Sequence, residues 1–209
     1  MFRTQLATNY LKRTVRPLYG WTQATPKSGY LDPSWARSAP IYPGFVLTKT
    51  AGNNYTLIGS ATVNQGTGAS GETAAAEQPA GLVSQWIGGA GIDELLESGV
   101  NALSVWVLGP DAEFEILAPA FDTVGSVWSA ADFGTGFDTY LYAYTAVTSG
   151  TTPAGVYQGQ LCLPATTHGV TTNTTPAGAT IGSVPVARLI QVESTNSIII
   201  GGLPVRAAV

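Results

Sequence analysis

The sequence has 209 residues, of which 44% are hydrophobic and only 11% are charged, whereas charged residues make up about 25% of a typical soluble domain. Its length fits one β domain or two small ones, and so few charges predict that much of the surface faces another protein. A single cysteine excludes an intrachain disulfide, and one cysteine with one histidine cannot form the usual zinc sites. No segment approaches the roughly 18–20 consecutive apolar residues of a membrane helix, and no signal peptide is predicted.

The charges are separated along the chain. Residues 1–49 carry seven basic residues and one acid, and residues 50–187 carry eleven acids and no Lys or Arg. This asymmetry predicts a basic segment that docks on an acidic partner protein, with charge setting orientation and association rate. A nucleic-acid-binding segment and a solvated tail without a partner are the alternatives. The acidic body argues against nucleic acid, because it would repel nearby phosphates.

Residues 1–40 are interrupted by proline and glycine at short intervals, so neither a helical nor a strand period is predicted. The segment is nevertheless rich in aromatic residues, which disordered linkers usually lack. We therefore expect an extended N-terminal arm that lies on a partner and fills pockets there; the alternative is that the segment packs on its own domain. The candidate partner-binding residues of this arm are Arg3, Tyr10, Lys12, Arg13, Arg16, Tyr19, Trp21, Tyr30, Trp35 and Arg37.

From residue 41 the pattern is one of short strands and turns. A hairpin is predicted from 45–48 and 55–58, and the one helix candidate is 92–98. The other predicted strands are 81–87, 103–108, 111–117, 124–128, 139–147, 156–163, 184–192 and 197–203. About ten short strands with turn-rich spacers indicate an all-β barrel or sandwich. The predicted β domain over 41–209 has a first part, 41–121, and additional strands or a second lobe over 122–209.

Three acids alternate along the predicted strand 111–117. The strand period of two places Asp111, Glu113 and Glu115 on one face, with Phe114 and Ile116 on the other. Such a row can form an acidic contact face or a solvated face, and catalysis or Ca²⁺ binding are further alternatives. The spacing of about 7 Å is compatible with an inverting glycosidase pair, although neighbours two apart rarely serve as one.

The remaining chemistry-bearing residues form no recognisable catalytic motif. The chain contains no G-x-S-x-G sequence, no P-loop and no G-x-G-x-x-G sequence. His168 is a lone loop histidine, and Cys162 lies between two leucines, as expected for a small buried side chain. We therefore expect no enzyme activity, no cofactor and no metal. A carbohydrate-binding module, with Trp86, Trp106 and Trp128 as a sugar platform, stays an alternative.

Residues 39–121 resemble the head decoration (cement) proteins of tailed phages, of the lambdoid β-tulip type. The resemblance is carried by Ala39-Pro40-Ile41-Tyr42-Pro43-Gly44-Phe45-Val46-Leu47, by Pro79-Ala80-Gly81-Leu82-Val83, and by Leu103–Leu108 and Asp111–Leu117, which look like the paired strands ending such a domain. It implies an all-β, β-barrel or β-tulip-like domain with an N-terminal arm. This chain departs from the pattern in a longer 59–78 loop and in the additional residues 122–209.

The resemblance also implies a function. Such proteins bind the outside of the mature phage head as homotrimers at three-fold and quasi-three-fold positions, where they stabilise contacts between major capsid protein subunits. The arm would add a strand to the capsid protein. We thus expect the protein on the outer capsid surface of the virion after folding in the host cytoplasm, with the major capsid protein as partner and no nucleic acid or membrane. A head fibre or tail component is the alternative within the virion.

Overall fold

The protein is all-β in the part that the computed structural model describes, namely residues 15–19, 25–32, 41–50, 52–59, 78–83, 102–128, 139–148, 150–164 and 172–203. These residues contain fourteen strands and no helix. The strands are β1 (Val15–Tyr19), β2 (Thr25–Leu31), β3 (Val46–Lys49), β4 (Asn54–Leu57), β5 (Gly81–Val83), β6 (Ala102–Val107), β7 (Glu113–Leu117), β8 (Ser126–Val127), β9 (Thr139–Val147), β10 (Leu161–Cys162), β11 (Thr172–Asn173), β12 (Ala179–Ile181), β13 (Ala187–Ser194) and β14 (Ser197–Gly201). The predicted all-β, barrel-like class is confirmed.

Five strands close a barrel in the order β2-β4-β3-β5-β6. The predicted hairpin is its centre, with Leu47 opposite Leu57 and a turn at Gly52, whose φ of 66° suits glycine. β2 closes the barrel by pairing antiparallel with β6 and parallel with β4. At this closure Gly29 lies under the ring of Tyr55, and a Cβ atom on Gly29 would lie 2.2 Å from Tyr55 Cε2. The closure therefore requires a residue without a side chain at this position.

The second layer, sheet A, has the strand order β1-β7-β14-β13-β9-β10, and β12 also pairs with β9. It takes β1 from the predicted arm, β7 from the predicted first part and the remaining strands from residues 122–209. The two predicted parts are thus joined by strand pairing, notably between β7 and β14. The division of the chain at 121 stays a prediction. β8 and β11 form a separate two-stranded ladder.

Two strands in residues 1–40 correct the expectation that this segment has no regular structure. β1 pairs with β7 and β2 pairs with β6. Both contain a proline, Pro17 and Pro26, which was interpreted as a strand breaker. Among the described residues, β1 is an edge strand of sheet A. At Pro26, β2 pairs with β6 only, because its pairing with β4 is limited to Tyr30 and Leu31. A proline without an N–H is tolerated in such positions, because no partner strand needs its hydrogen.

Two further expectations differ from the structure, and a third is not tested by it. The strands 103–108 and 111–117, compared with a terminal strand pair, do not pair with each other, because β6 lies in the barrel and β7 in sheet A. The short strands β11 and β12 lie between the predicted strands 156–163 and 184–192, where no strand is predicted. The helix candidate 92–98 lies outside the described residues.

The barrel and sheet A share one hydrophobic core. Trp106 of β6 packs on Phe114 of β7 with ring centroids 5.5 Å apart. The turn before β10 ties the layers together, since Val46 N–H donates to the Gly159 carbonyl (2.7 Å) and Gln158 Nε2 donates to the Ile58 carbonyl (2.8 Å). Val15 of β1 and Leu31 of β2 belong to this core, which anchors both strands to the rest of the protein.

Candidate partner-binding surface

β1 presents a basic side chain that is already paired with the chain's own body. Val15 is buried, whereas Arg16 is opposite Glu115 of β7 and forms an ion pair with it. Ser197 Oγ of β14 donates a 3.0 Å hydrogen bond to the same carboxylate. The Arg16 side chain keeps 63% of its surface exposed, and Leu18 is 40% exposed. This strand can therefore contact a partner while it remains part of sheet A.

β2 offers a second exposed stretch on the barrel. Lys27, Ser28 and Tyr30 are exposed, while Gly29 and Leu31 between and after them are buried. Tyr30 is 50% exposed, which is unusual for a large aromatic ring that could have been buried in the core. Aromatic and cationic side chains of this kind are typical anchors at protein interfaces.

The other candidate arm residues are placed less completely. Tyr19 pairs with Glu113 at the end of β1. Arg3, Tyr10, Lys12, Arg13, Trp21, Trp35 and Arg37 lie outside the described residues. The structure therefore brings Arg16 and Tyr30 to the surface on neighbouring layers, and leaves the role of the whole set as a prediction.

The acidic row has the alternation that the sequence predicts. Glu113 and Glu115 are partly exposed, and Phe114 and Ile116 on the opposite face of β7 are fully buried. Asp111 is exposed but lies in the turn before the strand. Because Glu115 is held by Arg16 and Ser197, Glu113 and Asp111 are the acids of this row with the freedom to contact another molecule.

Asp122 forms a buried polar centre that the sequence did not single out. Its carboxylate accepts hydrogen bonds from Val124 N–H (2.8 Å), Gly125 N–H (3.0 Å) and the Tyr144 hydroxyl (2.7 Å). All three donors are fixed by backbone or by a fully buried ring, so the carboxylate holds the loop before β8 against β9. The role is structural, and no spacing in the sequence indicates it.

Gln160 holds the turn before β10 in place with side-chain hydrogen bonds. The side chain is 1% exposed, and its Nε2 donates to the carbonyl oxygens of Pro119 (2.7 Å), Phe121 (3.2 Å) and Gly155 (3.2 Å). Its Oε1 accepts from Tyr157 N–H. These contacts keep rigid the segment that connects barrel and sheet.

The tryptophans do not form a shared platform in the described residues. Trp128 packs edge-on against Phe121 at 5.0 Å and donates a 2.5 Å hydrogen bond to the Asp122 carbonyl. Trp106 packs on Phe114 in the core, and Trp86 lies outside the described residues. No observation on these rings favours the carbohydrate-binding alternative.

Two side chains have altered acidity without forming a reactive site. Burial, followed by the negative charge of Asp122, raises the pKa of the Cys162 thiol well above its ordinary value of 9.0. Burial, followed by the neighbouring Tyr157, raises the pKa of Tyr42, whose ring centroid lies 6.0 Å from that of Tyr157.

Within the described ranges, no group of three or more His, Cys, Asp or Glu residues is placed to hold a metal ion. The same part of the chain contains no helix that is both long and apolar enough to cross a membrane.

Comparison with known proteins gives one match. A family described as phage cement protein matches residues 1–163. These residues include the whole barrel and strands β1, β7, β9 and β10 of sheet A, but not β12, β13 or β14. No curated protein and no solved structure matches. Because the match spans 163 of the 209 residues, from the predicted arm to the second layer, this chain belongs to the phage cement protein family.

Proposed function

We propose that the protein binds the outer surface of the mature phage head and stabilises contacts between neighbouring major capsid protein subunits. The observation that carries this proposal is the family match, which begins at residue 1 and thus includes the basic, aromatic N-terminal segment. Cement proteins are structural components of the phage capsid, so the family supports a virion location and a structural role.

The surface that we assign to capsid binding combines the candidate arm residues with the strands that carry two of them. Arg16 and Tyr30 stand on β1 and β2, and the core holds both strands in place. A binding group on a rigid strand loses little conformational entropy when a partner docks. Residues 1–14 precede β1 and carry Arg3, Tyr10, Lys12 and Arg13, which we assign to an extended contact with the capsid protein.

We further propose a homotrimer at the three-fold and quasi-three-fold positions of the head. The low share of charged residues, 11%, supports this, because a surface that is covered by copies of the chain and by capsid needs fewer charges. Catalysis has no part in this role.

The test is binding to purified undecorated heads, measured by co-sedimentation with the wild-type chain, with residues 1–14 deleted, and with the double variant Arg16→Glu, Lys27→Glu. Deletion of all of 1–40 is unsuitable, because it removes β1 and β2. Lys49→Glu, a charge reversal at an exposed lysine that follows the predicted arm 1–40, is the control. We expect both altered chains to bind at least ten-fold more weakly than the control, since reversing interface charges costs a few kcal/mol.

The outcomes separate the parts of the proposal. Absence of binding by the wild-type chain would overturn the function. Equal binding by the wild type, the deletion and the double variant would overturn the role of the N-terminal segment. A solution mass of a monomer in light scattering, together with density for single copies on the head, would overturn the trimer.

A further inference from the structure

Arg188 is a cation in the middle of sheet A. It lies on β13, opposite Gly201 of β14 on one side and Tyr140 of β9 on the other. Its chain neighbours Ala187 and Leu189 are buried in the core, so the Arg188 side chain projects from the opposite face of the sheet. Between residues 50 and 205 it is the only Lys or Arg in the sequence.

The guanidinium group reaches over Gly201 of the neighbouring strand β14. A Cβ atom on Gly201 would lie 3.5 Å from Arg188 Nη2 and 2.8 Å from Ile190 Cδ1, so both side chains cover the glycine. The Arg188 Nε atom is buried and has no hydrogen-bond partner. Because Gly201 has no side chain, the Ile190 and Arg188 side chains can lie together over this position.

No carboxylate in the described part of the chain neutralises this group. Within these residues the one ion pair joins Arg16 to Glu115 on the same face of the sheet. Gly201 of β14 lies between Glu113 of β7 and Arg188 of β13, so Glu113 is two strands away from Arg188. On this face Ile190 lies beside Arg188 Nη2 over Gly201, Tyr140 is opposite Arg188 on β9, and Ile199 precedes Gly201 by two residues on β14. All three side chains are half-buried.

A partly desolvated guanidinium without a counter-ion is costly, and a carboxylate that pairs with it forms strong, bidentate hydrogen bonds. The apolar side chains around it would exclude water from such a pair, which strengthens it. The Arg188 guanidinium therefore offers a positive charge and N–H donors next to apolar side chains, and these features suit an acidic side chain of a docking protein.

We propose that Arg188, flanked by Ile190, Ile199 and Tyr140, receives an Asp or Glu side chain of the major capsid protein when the protein docks on the head. This proposal rests on the capsid-binding function proposed above. Charge complementarity identifies the partner group, because no carboxylate among the described residues forms an ion pair with this cation. It extends the contact surface from Arg16 on β1 across the same face of sheet A to β13.

The test is the dissociation constant for undecorated heads, measured by co-sedimentation at low and physiological salt. We expect Arg188→Met to weaken binding by roughly 30-fold or more, as removal of one partner of a buried charged pair does. Arg188→Lys, which keeps the charge and loses the bidentate geometry, should weaken it less. Thermal unfolding and solution mass are measured for each variant.

Glu193→Gln, which changes an exposed acid on the same strand as Arg188, is the control for binding, and Glu113→Gln tests for a pair inside the chain. If Arg188 served only to pair with Glu113 inside the chain, Arg188→Met and Glu113→Gln would change stability alike and leave binding unchanged. If Arg188→Met unfolds, Arg188→Gln takes its place: it removes the charge and keeps a polar side chain at the half-buried position, and it should also weaken binding at least ten-fold.

Each result decides the proposal. Wild-type affinity in folded Arg188→Met or Arg188→Gln would overturn it, and so would a loss of affinity of equal size in Glu193→Gln. A changed solution mass in Arg188→Met would overturn it by assigning the site to a second copy of the chain. Failure of the wild type to bind heads would overturn the proposed function itself, which is a distinct outcome.

Discussion

Replacement of Asp122 by alanine should strongly destabilise the protein. The change leaves three buried or partly buried donors without an acceptor: the N–H groups of Val124 and Gly125, and the hydroxyl of Tyr144. Each unsatisfied donor costs about 1–3 kcal/mol. Because the Val124 bond is only partly buried, we expect a total loss of about 4 kcal/mol in the free energy of unfolding. For a chain of this length that corresponds to a fall of roughly 8–16 °C in Tm.

The assay is urea unfolding of wild type, Asp122→Ala, Tyr144→Phe and the double variant. Since Tyr144→Phe removes one of the orphaned donors, Asp122→Ala should cost about 1–2 kcal/mol less in that background. Asp122→Asn keeps the shape and one acceptor oxygen and should fall between wild type and alanine. A loss below about 1 kcal/mol for Asp122→Ala, or additive single losses, would refute the reasoning that this carboxylate holds the loop before β8.

Three other substitutions test separate features. Gly29→Ala places a Cβ atom 2.2 Å from the Tyr55 ring and should lower the free energy of unfolding in urea by about 1–3 kcal/mol. Ser28→Ala, at the exposed neighbouring position, should change it by less than about 0.5 kcal/mol. Equal effects of the two variants would contradict the tight closure of the barrel. Arg16→Met should change the free energy of unfolding by less than about 1 kcal/mol, because the side chain is 63% exposed, and a larger loss would show that β1 depends on its ion pair. The raised pKa of Cys162 keeps its thiol protonated in the folded chain while the unfolded thiol ionises above about pH 9, so stability falls as the pH rises through that range. Between pH 8 and 10 the wild type should therefore lose about 1 kcal/mol more than Cys162→Ala, and identical losses in urea unfolding would argue against a buried, protonated thiol.

The elements that could be predicted are those whose pattern is local. The alternation of Glu113, Phe114, Glu115 and Ile116 specifies a strand with one buried face, and β7 has that face. The hairpin of β3 and β4 follows from two β-rich stretches around Gly52. In both cases the information lies within a few consecutive residues, so tertiary structure had little to override.

The elements that could not be predicted depend on distant partners. Pro17 and Pro26 exclude a strand only if hydrogen bonds are required on both sides, and the pairing of β1 and β2 is set by strands about a hundred or eighty residues later. Asp122 and Gln160 become structural centres because separate turns converge on them. The charge separation predicted an acidic partner, and for Arg16 an acidic partner is found in Glu115 of the same chain.

The order of strands in sheet A has a consequence for synthesis on the ribosome. β14 and β13, late in the sequence, insert between β7 and β9 and supply the centre of the sheet. Until residues 187–201 have been made, β7 and β9 each present an open strand edge, and such edges pair readily with other chains. The matched family region ends at residue 163, before these strands begin. A nascent or truncated chain ending there should need a chaperone, and its yield of soluble protein should fall steeply with expression temperature.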